Sequence, residues 1–200
     1  MKTPNADLMK QARESLTGKW GVAVGATLIY MVIAGAISSI PKAGGVISLL
    51  IAGPLCLGLA IFILAIGRNQ NPKIEQIFEG FKRFSVSLST YLLMLIFIIL
   101  WSLLLIIPGI IAGLSYGMTF YILADDSAVG AREAISRSKK MMDGNKWKLF
   151  CLHCRFIGWA LLCLLTIGIG FLWLVPYIQV SQAKFYEDIK TVEEKTPVVS

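Results

Sequence analysis

Charged residues are scarce in this chain, and long stretches contain none at all. Only 16% of the 200 residues are Asp, Glu, Lys or Arg, whereas 56% are hydrophobic and the mean hydropathy is +0.71. Soluble domains carry about 25% charged residues, and a single soluble core could not bury so much apolar surface. The composition therefore excludes an ordinary soluble globular protein and indicates several membrane-spanning segments.

Histidine occurs once, as His153, and no acidic residue falls inside a long apolar run. A histidine-based triad would have to use that residue, and the sequence has no phosphate-binding glycine loop or cofactor fingerprint. Asp125 and Asp126 precede Ser127 at the end of an apolar run, where helix capping explains them. We therefore expect no catalytic residue and no cofactor, and rank an intramembrane enzyme third among the functions considered.

The four cysteines do not form a recognisable metal or disulfide pattern. Cys151 and Cys154 flank His153, but these three side chains offer at most three crowded ligands, and a structural zinc site normally has four. Cys56 and Cys163 are distant in sequence, and positions i and i+3 of a helix suit a disulfide poorly. We therefore expect no metal site, and thiols that pack between helices.

The apolar runs are long enough to be counted as spans, because about 20 apolar residues cross the roughly 30 Å hydrocarbon core. The predicted spans are residues 20–40, 46–67, 86–107, 109–124, 147–167 and 170–184. Pro54 and Pro176 are expected to break or kink the second and sixth, and Pro108 with Gly109 separates the third from the fourth. The predicted fold is an all-α, six-helix transmembrane bundle.

Positive charge is distributed unevenly between the two sides of this predicted bundle. Seventeen of the nineteen Lys and Arg residues lie in the N-terminal segment 1–19, in the loop after span two, in the loop after span four with Lys148 at its end, and in the C-terminal segment from Lys184 onward. The three opposite turns contain only Lys42, and Arg155 falls within the fifth span. Cytoplasmic loops are enriched in Lys and Arg, so we predict cytoplasmic termini, a cytoplasmic tail over 185–200, and location in the cell membrane.

An internal repeat and three amphipathic stretches complete the predicted architecture. Segments of 13 residues beginning at Pro54, Gly113 and Pro176 align without gaps, and the first two share Ile-Leu-Ala near their ends. Apolar residues at helical spacing also occur near 72–83, near 128–142 and, more faintly, within 1–19. We predict three related helical hairpins with cytoplasmic amphipathic helices that lie among the lipid headgroups.

Four sequence segments carry a resemblance to a known family. They are Trp101-Ser-Leu-Leu-Leu-Ile-Ile-Pro108-Gly-Ile-Ile-Ala, Ser115-Tyr-Gly-Met-Thr-Phe-Tyr-Ile-Leu-Ala-Asp125, Ala134-Ile-Ser-Arg-Ser-Lys-Lys-Met-Met-Asp-Gly-Asn-Lys-Trp147 and Phe156-Ile-Gly-Trp159. Over nearly its whole length the chain resembles an uncharacterised bacterial integral membrane family, named as domain of unknown function nine-seven-five. That family is distantly similar to the membrane domain of glycerophosphodiester phosphodiesterases. The resemblance implies a topology and no reaction.

Arg155 is the strongest candidate for a binding residue, because an arginine at mid-bilayer costs about 2.5 to 3.5 kcal/mol. One hypothesis is an anion or headgroup site in which polar side chains of the two short spans surround the guanidinium. The candidate neighbours are Ser115, Thr119, Gln179 and Gln182. The alternative is that Arg155 extends its long side chain to the cytoplasmic headgroups.

These features favour a non-enzymatic membrane module that acts as a scaffold, an accessory subunit or a lipid-associated protein. Its expected partners are anionic lipid headgroups, with a protein partner or a second copy of the chain as a further possibility. Trp20 and Trp147 are predicted interfacial anchors. The net charge of +7 lies in short loops beside apolar spans, which favours lipid over nucleic acid. The alternative function is a small transporter or channel that uses Arg155 and the Pro/Gly-interrupted helices.

Overall fold

The computed structural model describes residues 3–40, 44–166 and 168–195, and these residues form helices and turns with no strand. In chain order the helices are α1 (Asn5–Leu16), α2 (Trp20–Ser38), α3 (Gly44–Gly67), the 3-10 helix Ile74–Arg83, α4 (Phe84–Leu104), α5 (Ile106–Tyr116), α6 (Thr119–Asp125), α7 (Ala131–Met141), α8 (Lys146–Leu165) and α9 (Phe171–Lys195). The predicted all-α class is confirmed.

Five helical stretches are long and apolar enough to cross a membrane. They are Trp20–Ile37, Gly44–Gly67, Ile74–Leu103, Ile106–Asp125 and Lys146–Leu165. The sixth predicted span, 170–184, corresponds to the first part of α9 and is not among the five, because Gln179, Gln182 and Lys184 lower its hydropathy. The apolar helices indicate a membrane-embedded protein, whereas the count of six spans stays a prediction. Lys42, and Ile167 at the end of the predicted fifth span, lie outside the described residues.

The predicted helix breaks differ from the observed ones. The chain turns at Leu105, which is extended (φ −165°, ψ 149°), and Pro108 falls in the first turn of α5, where its missing N–H costs nothing. Gly109 closes this hairpin, since a Cβ there would lie 2.2 Å from the Ser102 hydroxyl oxygen. Pro54 and Pro176 lie inside continuous helices α3 and α9 and do not end them, because a proline removes only one helical hydrogen bond.

Helix α3 forms the centre of the bundle and contacts α2, the 3-10 helix, α4, α6 and α9. Its side chains Leu57, Phe62 and Ile66 are fully buried. Two of the aligned 13-residue segments, 54–66 and 176–188, lie in α3 and α9, and the third, 113–125, runs from the end of α5 through α6. The aligned segments therefore meet in the core, whereas the repeat itself stays a prediction.

The three amphipathic stretches are helical at the predicted positions, but their apolar residues largely face protein. Leu8, Ala12 and Leu16 of α1 are at most 1% exposed, and Ala134 of α7 is fully buried. In the 3-10 helix, Phe78 is exposed like its neighbour Phe81. Other helices supply the apolar surface that α1 and α7 cover, and the position of these two helices in the headgroup layer stays a prediction.

The segment predicted as a tail from residue 185 is the second half of a helix. Helix α9 continues without interruption to Lys195, and Phe185, Tyr186 and Ile189 are at most 3% exposed. These apolar side chains recur at helical spacing and pack into the core. The charged residues between them make this pattern hard to recognise in the sequence. Residues 196–200 lie outside the described part of the chain.

Candidate functional site

Arg155 lies on the outer surface of α8. Leu152 and Phe156 of the same helix face the core and are at most 3% exposed, whereas Arg155 between them is exposed. No hydrogen bond or ion pair joins its guanidinium to the described residues. The structure therefore does not bring Arg155 together with the four polar residues proposed as its neighbours.

Two of those four residues, Ser115 and Thr119, are buried near the junction of α5 and α6. The Ser115 hydroxyl donates to the Ile111 carbonyl (2.7 Å), and its own carbonyl accepts from the Ser138 hydroxyl (2.8 Å). Ser115 thus connects α5 to α7 and has a structural role. The Thr119 hydroxyl is fully buried and has no hydrogen-bond partner among the described residues.

Gln182 instead meets His153, a residue that the sequence suggested only as a weak metal ligand. Nδ1 of His153 lies 2.9 Å from the Leu149 carbonyl, and Nε2 is within hydrogen-bond distance of the Gln182 amide nitrogen. The Leu149 carbonyl only accepts, so it pairs with a protonated Nδ1, and in that tautomer Nε2 accepts from the Gln182 amide. The Gln182 Oε1 is then free to accept from the Tyr121 hydroxyl (3.4 Å).

The His153–Gln182 pair lines a cleft of about 460 Å³ between α5 and α8. Gly113 and Gly117 leave room on one wall, and the buried Gln179 Oε1 atom nearby in α9 has no partner among the described residues. A polar pair inside an apolar helix bundle is the kind of group that small polar ligands and ions use. The signal for this pair was that a glutamine within a span needs a polar partner, but the sequence did not show which helix supplies it.

A network of ion pairs joins the C-terminal ends of α3 and α6 to the second half of α9. Arg68, just after α3, contacts Asp125 of α6 and Glu187 of α9 (2.7 Å to Glu187). Lys190 and the Tyr186 hydroxyl also contact Asp125. Burial acts to lower the pKa of Arg68, but the hydrogen bonds to both carboxylates outweigh it and raise that pKa. The guanidinium therefore stays charged and serves to fasten the helix ends.

A second cluster joins α1, α8 and α9 around Asp188. Its carboxylate accepts from Lys148 (2.8 Å), from the Thr3 backbone N–H (3.1 Å) and from the Thr3 hydroxyl. Asn5 of α1 donates to the Lys148 carbonyl (2.8 Å). Burial acts to raise the pKa of Asp188, but the hydrogen bonds from Lys148 and Thr3 prevail and lower it. This carboxylate is therefore a structural anion.

Other cations face outward and have no acidic partner among the described residues. Arg132, Lys139 and Lys140 are exposed on α7, whereas Arg137 between them is paired with Glu133 (2.7 Å) and Asp126 (3.2 Å). The predicted anchor Trp147 follows at the start of α8, is 74% exposed and stacks on Phe150. The other predicted anchor, Trp20, is half-buried at the start of α2.

Within residues 3–40, 44–166 and 168–195, no three His, Cys, Asp or Glu side chains are grouped so as to hold a metal ion. All four cysteines are free thiols. Cys154 is exposed and Cys163 is buried. The residues best placed to contact a ligand are therefore those of the His153–Gln182 cleft and the outward-facing cations.

A family model described as "Protein of unknown function (DUF975)" matches the chain in two overlapping parts, residues 1–108 and 103–193. No curated protein matches the chain, and no solved structure matches it. The resemblance to this family drawn from the sequence is confirmed. The more distant similarity to the membrane domain of glycerophosphodiester phosphodiesterases is not shown by these comparisons.

Proposed function

Because the chain belongs to the DUF975 family, whose function is unknown, we propose a role from the surfaces that the protein presents. It is a non-enzymatic, multi-pass protein of the cell membrane that binds anionic phospholipid headgroups on its cytoplasmic side. In this role it acts as a lipid-associated scaffold or accessory module. The six spans, the three related hairpins and the cytoplasmic termini are part of the same proposal.

The observation that supports this role is the division of the cations into two groups. Arg68, Lys148 and Lys190 bind carboxylates at helix ends, and Arg83 donates to the carbonyls of Leu123 (2.7 Å) and Val129 (2.9 Å). These side chains stabilise the fold. The cations of the second group, Arg132, Lys139 and Lys140 of α7, have no such partner in the described part of the chain and are therefore available to phosphate.

The position of the free cations fits a headgroup layer. Lys139 and Lys140 lie in the last turn of α7, shortly before the exposed Trp147 at the start of an apolar helix. Tryptophan at the end of a span marks the membrane–water interface. Each lysine or arginine near an anionic surface contributes about 1 kcal/mol of attraction. This position supports the proposal that the two lysines contact phospholipid phosphates.

Native mass spectrometry of the full chain in mild detergent tests this role by titration with phosphatidylglycerol and, separately, with phosphatidylcholine. The double variant Lys139→Gln/Lys140→Gln should lose about 2 kcal/mol of phosphatidylglycerol affinity, a factor of roughly 30. Arg137→Gln is the control, because its charge is already paired and its loss should weaken binding much less. Phosphatidylcholine binding should not change. Unchanged phosphatidylglycerol affinity in the double variant would contradict the role.

A small transporter is the second candidate function, favoured by the cleft at His153 and Gln182. In that case the cleft would bind the transported solute, and Gln182→Leu would abolish flux of a labelled solute in proteoliposomes. Arg155→Ala, a change on the outer surface, would leave the flux intact. Flux that Gln182→Leu does not alter would remove this candidate.

A further inference from the structure

A groove between α8 and the helices α1, α2 and α9 collects three of the five tryptophans of the chain. We call it the aromatic groove and define it by Trp20 of α2, Trp159 and Cys163 of α8, and Trp173 and Tyr177 of α9, with Arg13 of α1 as its cationic member. Its volume is about 290 Å³. Four helices contribute to the groove, so only the folded bundle creates it.

Several contacts fix the walls of the groove. The Tyr177 hydroxyl donates to the Met9 carbonyl of α1 (3.2 Å), and the Tyr177 ring meets Phe156 edge to face (5.2 Å between centroids). At one end α8 and α9 approach so closely that a Cβ on Gly170 would lie 2.7 Å from the Cys163 sulfur. The groove is therefore preformed, which lowers the entropic cost of binding.

The chemistry of the groove combines apolar surface with unpaired donors. Trp159 and Trp173 remain 56% and 50% exposed, so both indole rings are accessible to an acyl chain. Arg13 is exposed, and its guanidinium has no carboxylate partner among the described residues. The guanidinium can bind phosphate with two parallel hydrogen bonds.

We propose that the aromatic groove binds one anionic glycerophospholipid of the surrounding membrane. Its acyl chain lies along Trp159, Trp173 and Tyr177, and its phosphate contacts Arg13. This site gives the proposed lipid association a defined location, rests on that function, and is separate from the cations of α7. A phospholipid can contact both the apolar wall of the aromatic groove and the adjacent cation, whereas a free anion would contact only Arg13.

Tryptophan fluorescence tests the groove directly. In a Trp101→Phe/Trp147→Phe background, the remaining tryptophans are the three of the groove, so brominated phosphatidylglycerol should quench them with saturation. Arg13→Gln should weaken this binding about fivefold, the effect of one charge worth about 1 kcal/mol. Arg132→Gln, an exposed cation on α7, is the matched control and should leave the quenching curve unchanged. Inorganic phosphate alone should not displace the lipid.

The outcomes separate the groove from the headgroup role of α7. Lys139→Gln/Lys140→Gln should preserve saturable quenching while it lowers total phosphatidylglycerol binding. Linear, unsaturable quenching, or a curve that Arg13→Gln does not shift, would overturn the groove and leave the α7 role intact. Displacement by inorganic phosphate would also overturn it. If Arg13→Gln does not fold, Trp173→Leu at the half-exposed wall replaces it, and it should weaken the saturable binding.

Discussion

The contact between α3 and the 3-10 helix predicts that Gly58→Ala destabilises the protein. A Cβ on Gly58 would lie 1.8 Å from the Ile77 carbonyl oxygen and 2.5 Å from its carbon. On the facing segment, a Cβ on Gly80 would lie 1.9 Å from the Pro54 carbonyl oxygen. Because the obstructing atoms belong to the backbone, no side-chain rotation relieves the overlap, and the two helices must separate.

The size of the effect follows from two opposing terms. Overpacking costs about 1 to 3 kcal/mol, and more when the backbone must move, whereas alanine gains at most about 1 kcal/mol of helix propensity over glycine. With the overlap this deep, we expect a net loss of about 2 kcal/mol. For a chain of this size, that corresponds to a fall in Tm of about 4 to 8 °C.

Thermal unfolding of the purified protein in detergent measures this fall. The control is Gly158→Ala in α8, where an added Cβ meets no atom within 4 Å, so the Tm should stay the same or rise. If Gly58→Ala and Gly158→Ala unfolded at the same temperature, close backbone packing of the 3-10 helix on α3 would be refuted.

Three further predictions concern charge, polarity and topology. The pKa of Asp188 is lowered in the folded protein, so the ionised carboxylate stabilises the fold above its unfolded-state pKa of about 4, and this contribution is lost as the pH falls below that value. Asp188→Asn should therefore have a lower Tm than the wild type at neutral pH, and the two Tm values should converge in acid. Gln182→Leu leaves Nε2 of the part-buried His153 without its amide partner, while the Tyr121 hydroxyl keeps the Gln179 carbonyl (3.3 Å), and should cost about 1 to 3 kcal/mol. Arg155→Ala should shift stability by no more than about 0.5 kcal/mol in thermal unfolding. In intact cells, cysteines that replace Lys10 and Lys139 in a cysteine-free background should resist an impermeant maleimide, and labelling of either from outside would exclude the proposed sidedness.

Much of the helical architecture was predictable, because the length of each apolar run and the positions of the charged residues indicate where the helices lie. The run from Gly44 to Gly67 was expected as a span from 46 to 67, and the helix Ala131–Met141 falls within the predicted stretch 128–142. Both predictions depend on short-range periodicity and on the absence of charge, which a single sequence displays. Proline positions were less informative, since Pro54 and Pro176 lie inside continuous helices.

The candidate site was less predictable because it depends on which helix faces which. Arg155 drew attention as an unusual residue in an apolar run, yet its side chain is exposed on the surface of α8. His153 and Gln182 are 29 residues apart, and their contact depends on the pairing of α8 with α9. A pattern within one helix does not contain that information.

The turn around Leu105 bears on how the chain enters the membrane. All residues from Leu103 to Ile107 are aliphatic, and Leu103 and Ile106 are 85% and 78% exposed. During synthesis, the tip of this hairpin could therefore partition into lipid without moving any ionised group through hydrocarbon, where each would cost about 2.5 to 3.5 kcal/mol. In the proposed topology, α4 and α5 then insert together from the cytoplasmic side, and their turn has no charged side chain that could bind headgroups of the opposite leaflet.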